Sequence, residues 1–337
     1  MSATIISTFN HATSYSNIGG GFFIFLAGMI GNILNIIVFT SLKTFRQTSA
    51  AFYMTSASFV NIFQLVVGLL SRILITGYNI DPTKTSSFIC KARQFTLITT
   101  MLMAFSCMCL AAIDQYLSLT HPWRHLCTVK AASRFIIAIF VVWILHGITL
   151  FIYSDVISIE GTGQTTCGLL NTGFSIYYSR FLFPVLLGVL PLIIRVSFGI
   201  LAFVTVQRLS KREVPVVRLE RDKQLTTMVL VEVAVDVVLT LPYSIYNHWY
   251  SGSVTFNDSV SSAVNQFIIA LTRVVFYGNF AVAFYIYYCV SSRFRKQLAY
   301  VLVQMHLRYW PDHELKFIRE KIIQQIANYR LIMLFFK

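Results

Sequence analysis

Long runs without a charged residue constrain this chain more than any other feature of its sequence. Four segments contain no Asp, Glu, Lys or Arg, and each reaches the about 20 residues that an α-helix needs to cross a bilayer. Three further apolar segments of similar or greater length are interrupted by only one or two charges. The predicted membrane-spanning helices are 19–42, 47–71, 94–113, 135–154, 177–207, 224–249 and 259–292.

The composition supports this interpretation over a large soluble core. Hydrophobic residues make up 56% of the 337 residues and charged residues only 12%, whereas a soluble domain has about 25% charged residues. The sequence therefore predicts an all-α membrane protein, a seven-transmembrane helix bundle with a short amphipathic helix after the last span. Its expected parts are an extracellular N-terminus (1–18), the membrane domain (19–290) and a cytoplasmic helix and tail (291–337).

The net charge of +14 could suggest a nucleic-acid partner, so the distribution of the basic residues has to decide. If the N-terminus lies outside, 20 of the 27 Lys and Arg residues fall on the cytoplasmic side. This asymmetry follows the positive-inside rule, which places the C-terminus in the cytoplasm. The lipid bilayer accounts for the charge, and we expect no nucleic-acid partner.

The segment after the last span alternates basic and apolar residues at helical spacing, in the sequence SSRFRKQL (291–298). This pattern predicts an amphipathic helix on the inner membrane surface. Beyond Pro311, the sequence is compatible with a second interfacial helix or with an unstructured tail.

The predicted topology assigns the cysteines and one glycosylation sequon to the two sides of the membrane. Cys90 and Cys167 share the outer, oxidising side, so a disulfide between them is permitted and is our prediction. The other four cysteines have no metal-ligand spacing and are expected to be packing residues or thiols. Asn257 begins an Asn-Asp-Ser sequon in the last outer loop, where glycosylation is an expectation.

Several residues within these spans stand at informative spacings. Gly31 precedes Asn32 in the first span, and Asp114 and Tyr116 flank the inner end of the third. The remaining ones are Pro122, Trp143, Pro191, Pro242 and Tyr287. With seven spans and the outer cysteine pair, this pattern resembles the rhodopsin-like (class A) G-protein-coupled receptors, in particular divergent invertebrate-type orphan members, over roughly residues 19–300.

The resemblance implies a multi-pass receptor of the plasma membrane. Such a receptor binds an extracellular ligand, here a peptide or an anionic small molecule, and signals through a heterotrimeric G protein. It implies no cofactor. The alternatives are a non-signalling seven-helix scaffold that has lost coupling and, less favoured, a small-molecule transporter.

The sequence also departs from the family's pattern. Gln115 occupies the place of the central arginine between Asp114 and Tyr116, so an ionic contact to Asp222 on the sixth span cannot form. Asn61 replaces the second-helix aspartate of the family's sodium site. Two further departures are Thr240 before the sixth-helix proline and Ala283-Phe284 before Tyr287. We expect Asp114, Gln115, Tyr116, Pro122, Asp222, Pro242 and Tyr287 to govern switching and coupling, and Asn32 and Asn61 to be polar core residues.

Charged residues inside the spans are expensive in a bilayer and indicate pairing or function. Arg195 on the fifth span lies at a depth comparable to Glu232 and Asp236 on the sixth. Pairing between these helices is one interpretation. The other places Asp236 in the core that switches between conformations.

Three arginines near the outer ends of the spans have no obvious acidic partner: Arg72, Arg93 and Arg273. Their side chains either extend to the outer surface or form a cationic vestibule for a carboxylate, which arginine binds through two hydrogen bonds. In the second case Gln94, Tyr246 and Tyr277 complete the ligand site, with Gln64 and His248 as further candidates. Leu97 stands where amine receptors carry their aspartate, which disfavours an amine ligand.

No catalytic or metal-binding constellation is evident in the sequence. His121 and His125 are four residues apart but lie in a predicted inner loop with no acid between them, unlike a metalloprotease signature. The sequence therefore predicts that the protein is not an enzyme.

Overall fold

A computed structural model describes residues 2–41, 46, 48–158, 163–210, 216–250 and 258–308. Within these residues, seven helices are long and apolar enough to span a membrane. They are α1 (Thr4–Ser41), α2 (Ser49–Gly77), α3 (Ser87–Leu119), α4 (Val129–Tyr153), α5 (Thr172–Leu209), α6 (Gln224–Asn247) and α7 (Ser259–Phe280). The predicted fold class is confirmed.

The ends of the helices differ from the sequence prediction. The helix of α1 begins at Ser2, so most of residues 1–18 continue the first span as helix. At 1.5 Å per residue, 38 residues far exceed the about 30 Å of a bilayer core. The added length packs on α7, where the rings of Phe9 and Phe267 lie 5.8 Å apart. The extracellular position of residues 1–18 stays a prediction. The helix of α6 likewise begins early, at Val216.

α3 occupies the centre of the bundle. In its most apolar window 67% of residues are buried, against 17% in α4 and in α7. The main core cluster lies along one stretch of α3, from Leu97 to Phe105, with contributions from five of the other spans. On α1, Gly28 permits a close approach: a Cβ atom there would lie 2.6 Å from the Leu65 side chain and 2.9 Å from the Cβ of Ala281.

A β-hairpin covers one end of the bundle, which we call the hairpin end. Strand β1 (Ser154–Ser158) pairs antiparallel with β2 (Thr165–Leu169). Cys167 on β2 forms a disulfide with Cys90 on α3, with their Cα atoms 5.6 Å apart, so the predicted bridge is confirmed. Asp155 adds a 3.2 Å ion pair with Lys91. Hydrogen bonds from the Ser87 side chain, the Val156 backbone N–H and Lys91 lower the pKa of Asp155.

Several spans depart from regular α-helical geometry in the part that lies near the hairpin end. π-helical stretches occur at Ser16–Gly20 in α1, Gln64–Leu70 and Ile73–Gly77 in α2, Tyr178–Val189 in α5 and Ile245–Tyr250 at the end of α6. Pro184 lies inside the α5 stretch and has no N–H for a regular helical bond. Such turns shift the faces of a helix and are frequent at functional sites.

The chain continues beyond α7 as two shorter helices. After the 3₁₀ turn Gly278–Phe280 that ends α7, α8 (Ala283–Val290) carries Tyr287. The last described helix, α9 (Ser292–Arg308), forms a separate unit and matches the predicted amphipathic helix in sequence. Three features of the sequence analysis lie outside what the structure describes: the tail beyond Pro311, for which the sequence is compatible with a second helix or an unstructured tail, the sequon residue Asn257 and the side chain of Asp222.

Candidate functional site

A cavity of about 390 Å³ lies between α2, α3, α5, α6 and α7 at the hairpin end. It is lined by Arg72, Arg93, Gln94, Leu97, Met101, Tyr178, Ser179, Phe183, Tyr243, Asn247, Arg273, Phe276 and Tyr277. Among the described residues, these include three arginines and no acid. The cavity is therefore cationic on one part of its wall and apolar or aromatic on the rest.

The three arginines converge from three different helices: Arg72 from α2, Arg93 from α3 and Arg273 from α7. The Nε atom of Arg93 donates to Ser71 Oγ at 2.8 Å. The guanidinium of Arg273 lies over the ring of Tyr243, 5.9 Å from its centroid. These contacts hold the side chains in place but do not neutralise their charge, and the three groups repel one another.

Two polar atoms of this cluster are buried without a hydrogen-bond acceptor, Nε of Arg72 and Nη2 of Arg93. The carboxylate of Asp81, between α2 and α3, attracts Arg93 but already accepts from the Thr83 backbone N–H (3.1 Å) and hydroxyl (2.5 Å). Leaving buried donors unpaired is costly. The geometry thus supplies charge and donors for an anionic group.

Five of the six residues named from the sequence as ligand-binding line this cavity: Arg72, Arg93, Gln94, Arg273 and Tyr277. Tyr246 is half-buried on α6 and is not among the lining residues.

Two further candidates from the sequence do not join the lining. Gln64 is fully buried and accepts a 2.6 Å hydrogen bond from the hydroxyl of Thr100. The side chain of His248 lies outside the described part of the chain.

Sequence reasoning missed Tyr243 and Asn247 on α6, Phe276 on α7, and Tyr178 and Phe183 on α5. Phe276 follows Arg273 by three residues, and Tyr243 precedes Asn247 by four, so helical spacing could have indicated both faces. No comparable signal exists for Tyr178 and Phe183, because the π-helical stretch of α5 shifts their direction.

Below the cavity, amide side chains join the first, second and seventh spans. Asn32 donates from Nδ2 to the carbonyl oxygens of Gly28 (2.7 Å) and Phe280 (2.8 Å). Asn61 donates to Asn32 Oδ1 at 3.4 Å. Both side chains are buried. Asn32 thereby satisfies backbone carbonyls that a bilayer-spanning bundle cannot expose to water, and Asn61 satisfies the amide oxygen of Asn32.

Deeper in the bundle, Arg195 on α5 forms an ion pair with Asp236 on α6. Both side chains are only 4% exposed, and the Arg195 guanidinium also lies 5.6 Å from the ring centroid of Phe105. The predicted pairing between the fifth and sixth spans is thus confirmed, with Asp236 as the partner.

Glu232 lies one turn from Asp236 on α6 and accepts a 2.8 Å hydrogen bond from the hydroxyl of Tyr287 on α8. Glu232 and Tyr287 are both buried. α6 is therefore attached to α5 through a charged contact and to α8 through a second polar contact. Because the two contacts are one helical turn apart, a displacement of α6 strains both.

At the end opposite the hairpin, Asp114 and Gln115 contact two different helices. Asp114 Oδ2 accepts from the hydroxyl of Ser49 on α2 at 2.7 Å. Gln115 donates from Nε2 to the hydroxyl of Thr226 on α6 at 2.9 Å. Thr226 stands one turn after Asp222. Gln115 therefore contacts the sixth helix through a neutral hydrogen bond, near the acid with which the family's arginine would form an ionic contact.

Three other residues named from the sequence lie near this network. Tyr116 packs on Phe198 of α5, with ring centroids 5.8 Å apart. Pro122 is exposed in the 3₁₀ turn His121–Leu126, and Pro242 lies within the helix of α6.

Cys127 follows that 3₁₀ turn and donates from its Sγ to the Asp114 carbonyl oxygen at 3.6 Å. Burial and the nearby Asp114 raise the pKa of the Cys127 thiol to about 12. The thiol is therefore un-ionised at neutral pH and can serve as this donor.

These features define a seven-helix membrane protein with a disulfide-anchored hairpin and a cavity at one end and interhelical polar contacts through its interior. Residues 31–292 match the family described as "7 transmembrane receptor (rhodopsin family)". The chain belongs to this family, which confirms the resemblance seen in the sequence. Because the family consists of receptors, the protein is not an enzyme.

The chain also has a partial sequence match to a receptor homolog from a nematode. The chain is 30% identical over 101 residues to the neuromedin U receptor homolog nmur-2 of Caenorhabditis elegans. The match covers 30% of this chain and 25% of that relative, so it spans only about a quarter of the relative's length.

The buried ion pair yields a stability prediction. Asp236→Asn leaves the Arg195 guanidinium without a counter-charge and should lower the free energy of unfolding by about 3–5 kcal/mol. Asp155→Asn, which breaks the partly exposed pair with Lys91, should change it much less. The measurement is thermal unfolding of the purified variants in detergent. Equal effects of the two substitutions would contradict the assignment.

Proposed function

We propose that this protein is a receptor of the plasma membrane that binds an anionic peptide from outside the cell and signals through a heterotrimeric G protein. The observation that carries the proposal is the cavity with three converging arginines and no lining acid among the described residues. Arginine binds carboxylates with parallel hydrogen bonds, so an acidic ligand would satisfy the unpaired donors.

The orientation is part of the proposal. With the N-terminus outside, the basic residues concentrate on the cytoplasmic side. The same orientation places the hairpin end outside, where an oxidising environment suits the Cys90–Cys167 disulfide. The cavity would then face extracellular ligands, and Asp114 and Gln115 would face the cytoplasm.

A peptide ligand is favoured over other anions by the similarity to nmur-2, which is named as a neuromedin U receptor homolog. The wall of the cavity supports this choice because it also contains aromatic side chains: Tyr178, Phe183, Tyr243, Phe276 and Tyr277. A small inorganic anion would leave those rings without contacts.

Signalling would work through α6. Ligand binding can shift a conformational equilibrium only as far as it favours one arrangement over the other. α6 contributes Tyr243 and Asn247 to the cavity wall and contacts Gln115 through Thr226 at the other end. A ligand that displaces the cavity end of α6 would therefore act on a helix whose contacts at the other end include a neutral hydrogen bond to α3.

A non-signalling binding protein is the second candidate, and Gln115 is the observation that favours it. Glutamine carries no charge and cannot reproduce the ionic contacts of the family's arginine at this position. The two candidates share the ligand and differ in the response to it.

A G-protein dissociation assay in cells, run with a panel of acidic and neutral peptides and small acids, tests the proposal. We expect acidic peptides to give a response. Arg273→Ala removes one charge-assisted contact worth about 1.5–3 kcal/mol and should weaken the response about 10- to 100-fold at matched surface expression. Arg180→Ala, an exposed arginine on α5 that does not line the cavity, is the control. Binding without dissociation of any G protein would support the non-signalling candidate.

The contact between Gln115 and Thr226 gives a second test of coupling. Thr226→Val removes the hydrogen bond that holds α3 and α6 together, worth about 1 kcal/mol, and should raise basal G-protein activity about fivefold. Thr205→Val is a matched control, because within the described part of the chain that hydroxyl donates to the carbonyl of Leu201 in its own helix and to no other helix. Unchanged basal activity in Thr226→Val would show that this contact does not restrain α6.

A further inference from the structure

The side chains lining the cavity form two layers. On α3, Arg93 is followed one turn deeper by Leu97, and on α7, Arg273 is followed one turn deeper by Tyr277. On α6, which runs in the opposite direction, Asn247 lies nearer the hairpin end and Tyr243 one turn deeper. Cationic and polar groups thus form the layer near the entrance, and apolar and aromatic groups form the layer beneath it.

The deeper layer ends in a closed apolar floor. Met101 lies eight residues beyond Arg93 on α3, which is about 12 Å further along the helix axis. Phe276 packs there against Phe105 and Phe280, with ring centroids 6.4 Å and 5.8 Å apart. Phe105 and Phe280 are buried members of the main core cluster.

The two layers together argue against a small anion alone and against an uncharged apolar ligand. A small anion alone would satisfy the guanidinium groups but leave the apolar floor unfilled. An uncharged apolar ligand would fill the floor but leave the buried donors of Arg72 and Arg93 without an acceptor. An occupant must therefore carry an anionic group with an apolar group attached close to it, and the apolar group must point inward.

We infer that the cavity binds the C-terminal residue of a peptide, with its free carboxylate among Arg72, Arg93 and Arg273 and an apolar side chain on the floor formed by Leu97 and Met101. This inference rests on the proposed function and specifies which end of the peptide enters. The remainder of the peptide then leaves toward the hairpin end. A volume of about 390 Å³ is at the small end of the range of about 300–1,000 Å³ for ligand pockets, which suits entry of a terminus rather than a whole peptide.

Three minimal probes separate the contributions of charge and apolar surface. N-acetylleucine carries both, N-acetylleucinamide lacks the carboxylate, and N-acetylglycine lacks the apolar side chain. The measurement is thermal stabilisation of the purified full-length protein as a function of probe concentration. We expect N-acetylleucine to stabilise the protein at concentrations at least 10-fold lower than either of the others. Equal potency of the acid and the amide, or stabilisation by none of the three, overturns the inference.

Variants of the cavity wall assign each preference to its layer. Arg273→Gln should reduce the preference for acid over amide, and Arg273→Lys should retain part of it, which separates loss of charge from misfolding. Leu97→Asn should reduce the preference for leucine over glycine and leave the preference for acid over amide in place. If Leu97→Asn and Arg273→Gln change both preferences alike, the two-layer assignment is wrong.

One further comparison distinguishes a peptide terminus from a free small acid. N-acetyl-Gly-Gly-Gly-Leu with a free carboxylate should be more potent than N-acetylleucine, because the added residues extend toward the hairpin end. Equal or lower potency contradicts a peptide terminus and assigns the cavity to a small apolar acid.

The inference and the proposed function can fail separately. If amidated peptides activate a G protein through this cavity as well as acids do, the inference fails and the receptor function stands. If the carboxylate preference holds but no ligand dissociates a G protein, the inference stands and the signalling function fails.

Discussion

The need to partner charged and polar groups within a bilayer-spanning bundle is the constraint on which this structure depends. A bundle in hydrocarbon cannot leave such groups to water, so each must find a partner inside the protein. Arg195 meets this requirement with Asp236, and both are almost fully buried. Arg72, Arg93 and Arg195 each retain a buried donor without an acceptor, but within the described residues Arg72 and Arg93 also form no ion pair with an acid. The difference separates charges that hold the helices together from charges that are available to a ligand.

The contacts of α6 show how the same constraint affects conformational change. α6 is tied to α5 through Asp236, to α8 through Glu232 and to α3 through Thr226. All three are polar contacts in a low-dielectric interior, where breaking a contact without replacing it is costly. These discrete polar contacts restrain α6 in addition to its packing, which suits an element that moves between defined arrangements.

The sequence was sufficient to predict the seven spans and the disulfide, because apolar length and topology are recorded directly in it. It also predicted that Arg195 pairs with α6, but not with which of two acids at similar depth. The partner of Gln115 could not be foreseen, since a neutral hydrogen bond to a threonine leaves no charge pattern. Tyr178 and Phe183 were missed because a π-helical stretch shifts the faces of α5. In each case the prediction failed where a local irregularity or an uncharged contact decides the geometry.

The central claim is that, among the described residues, Arg195 is paired with an acid inside the bundle, whereas Arg72, Arg93 and Arg273 line the cavity and are available to a ligand. It can be tested by NMR of the full chain labelled with ¹⁵N-arginine. Single Arg→Lys variants would assign the side-chain Nε signals, and N-acetylleucine would serve as the probe. The account predicts that the signals of Arg72, Arg93 and Arg273 shift on addition of the probe while that of Arg195 stays in place. A shift of the Arg195 signal alone, or no shift of the other three, would contradict it.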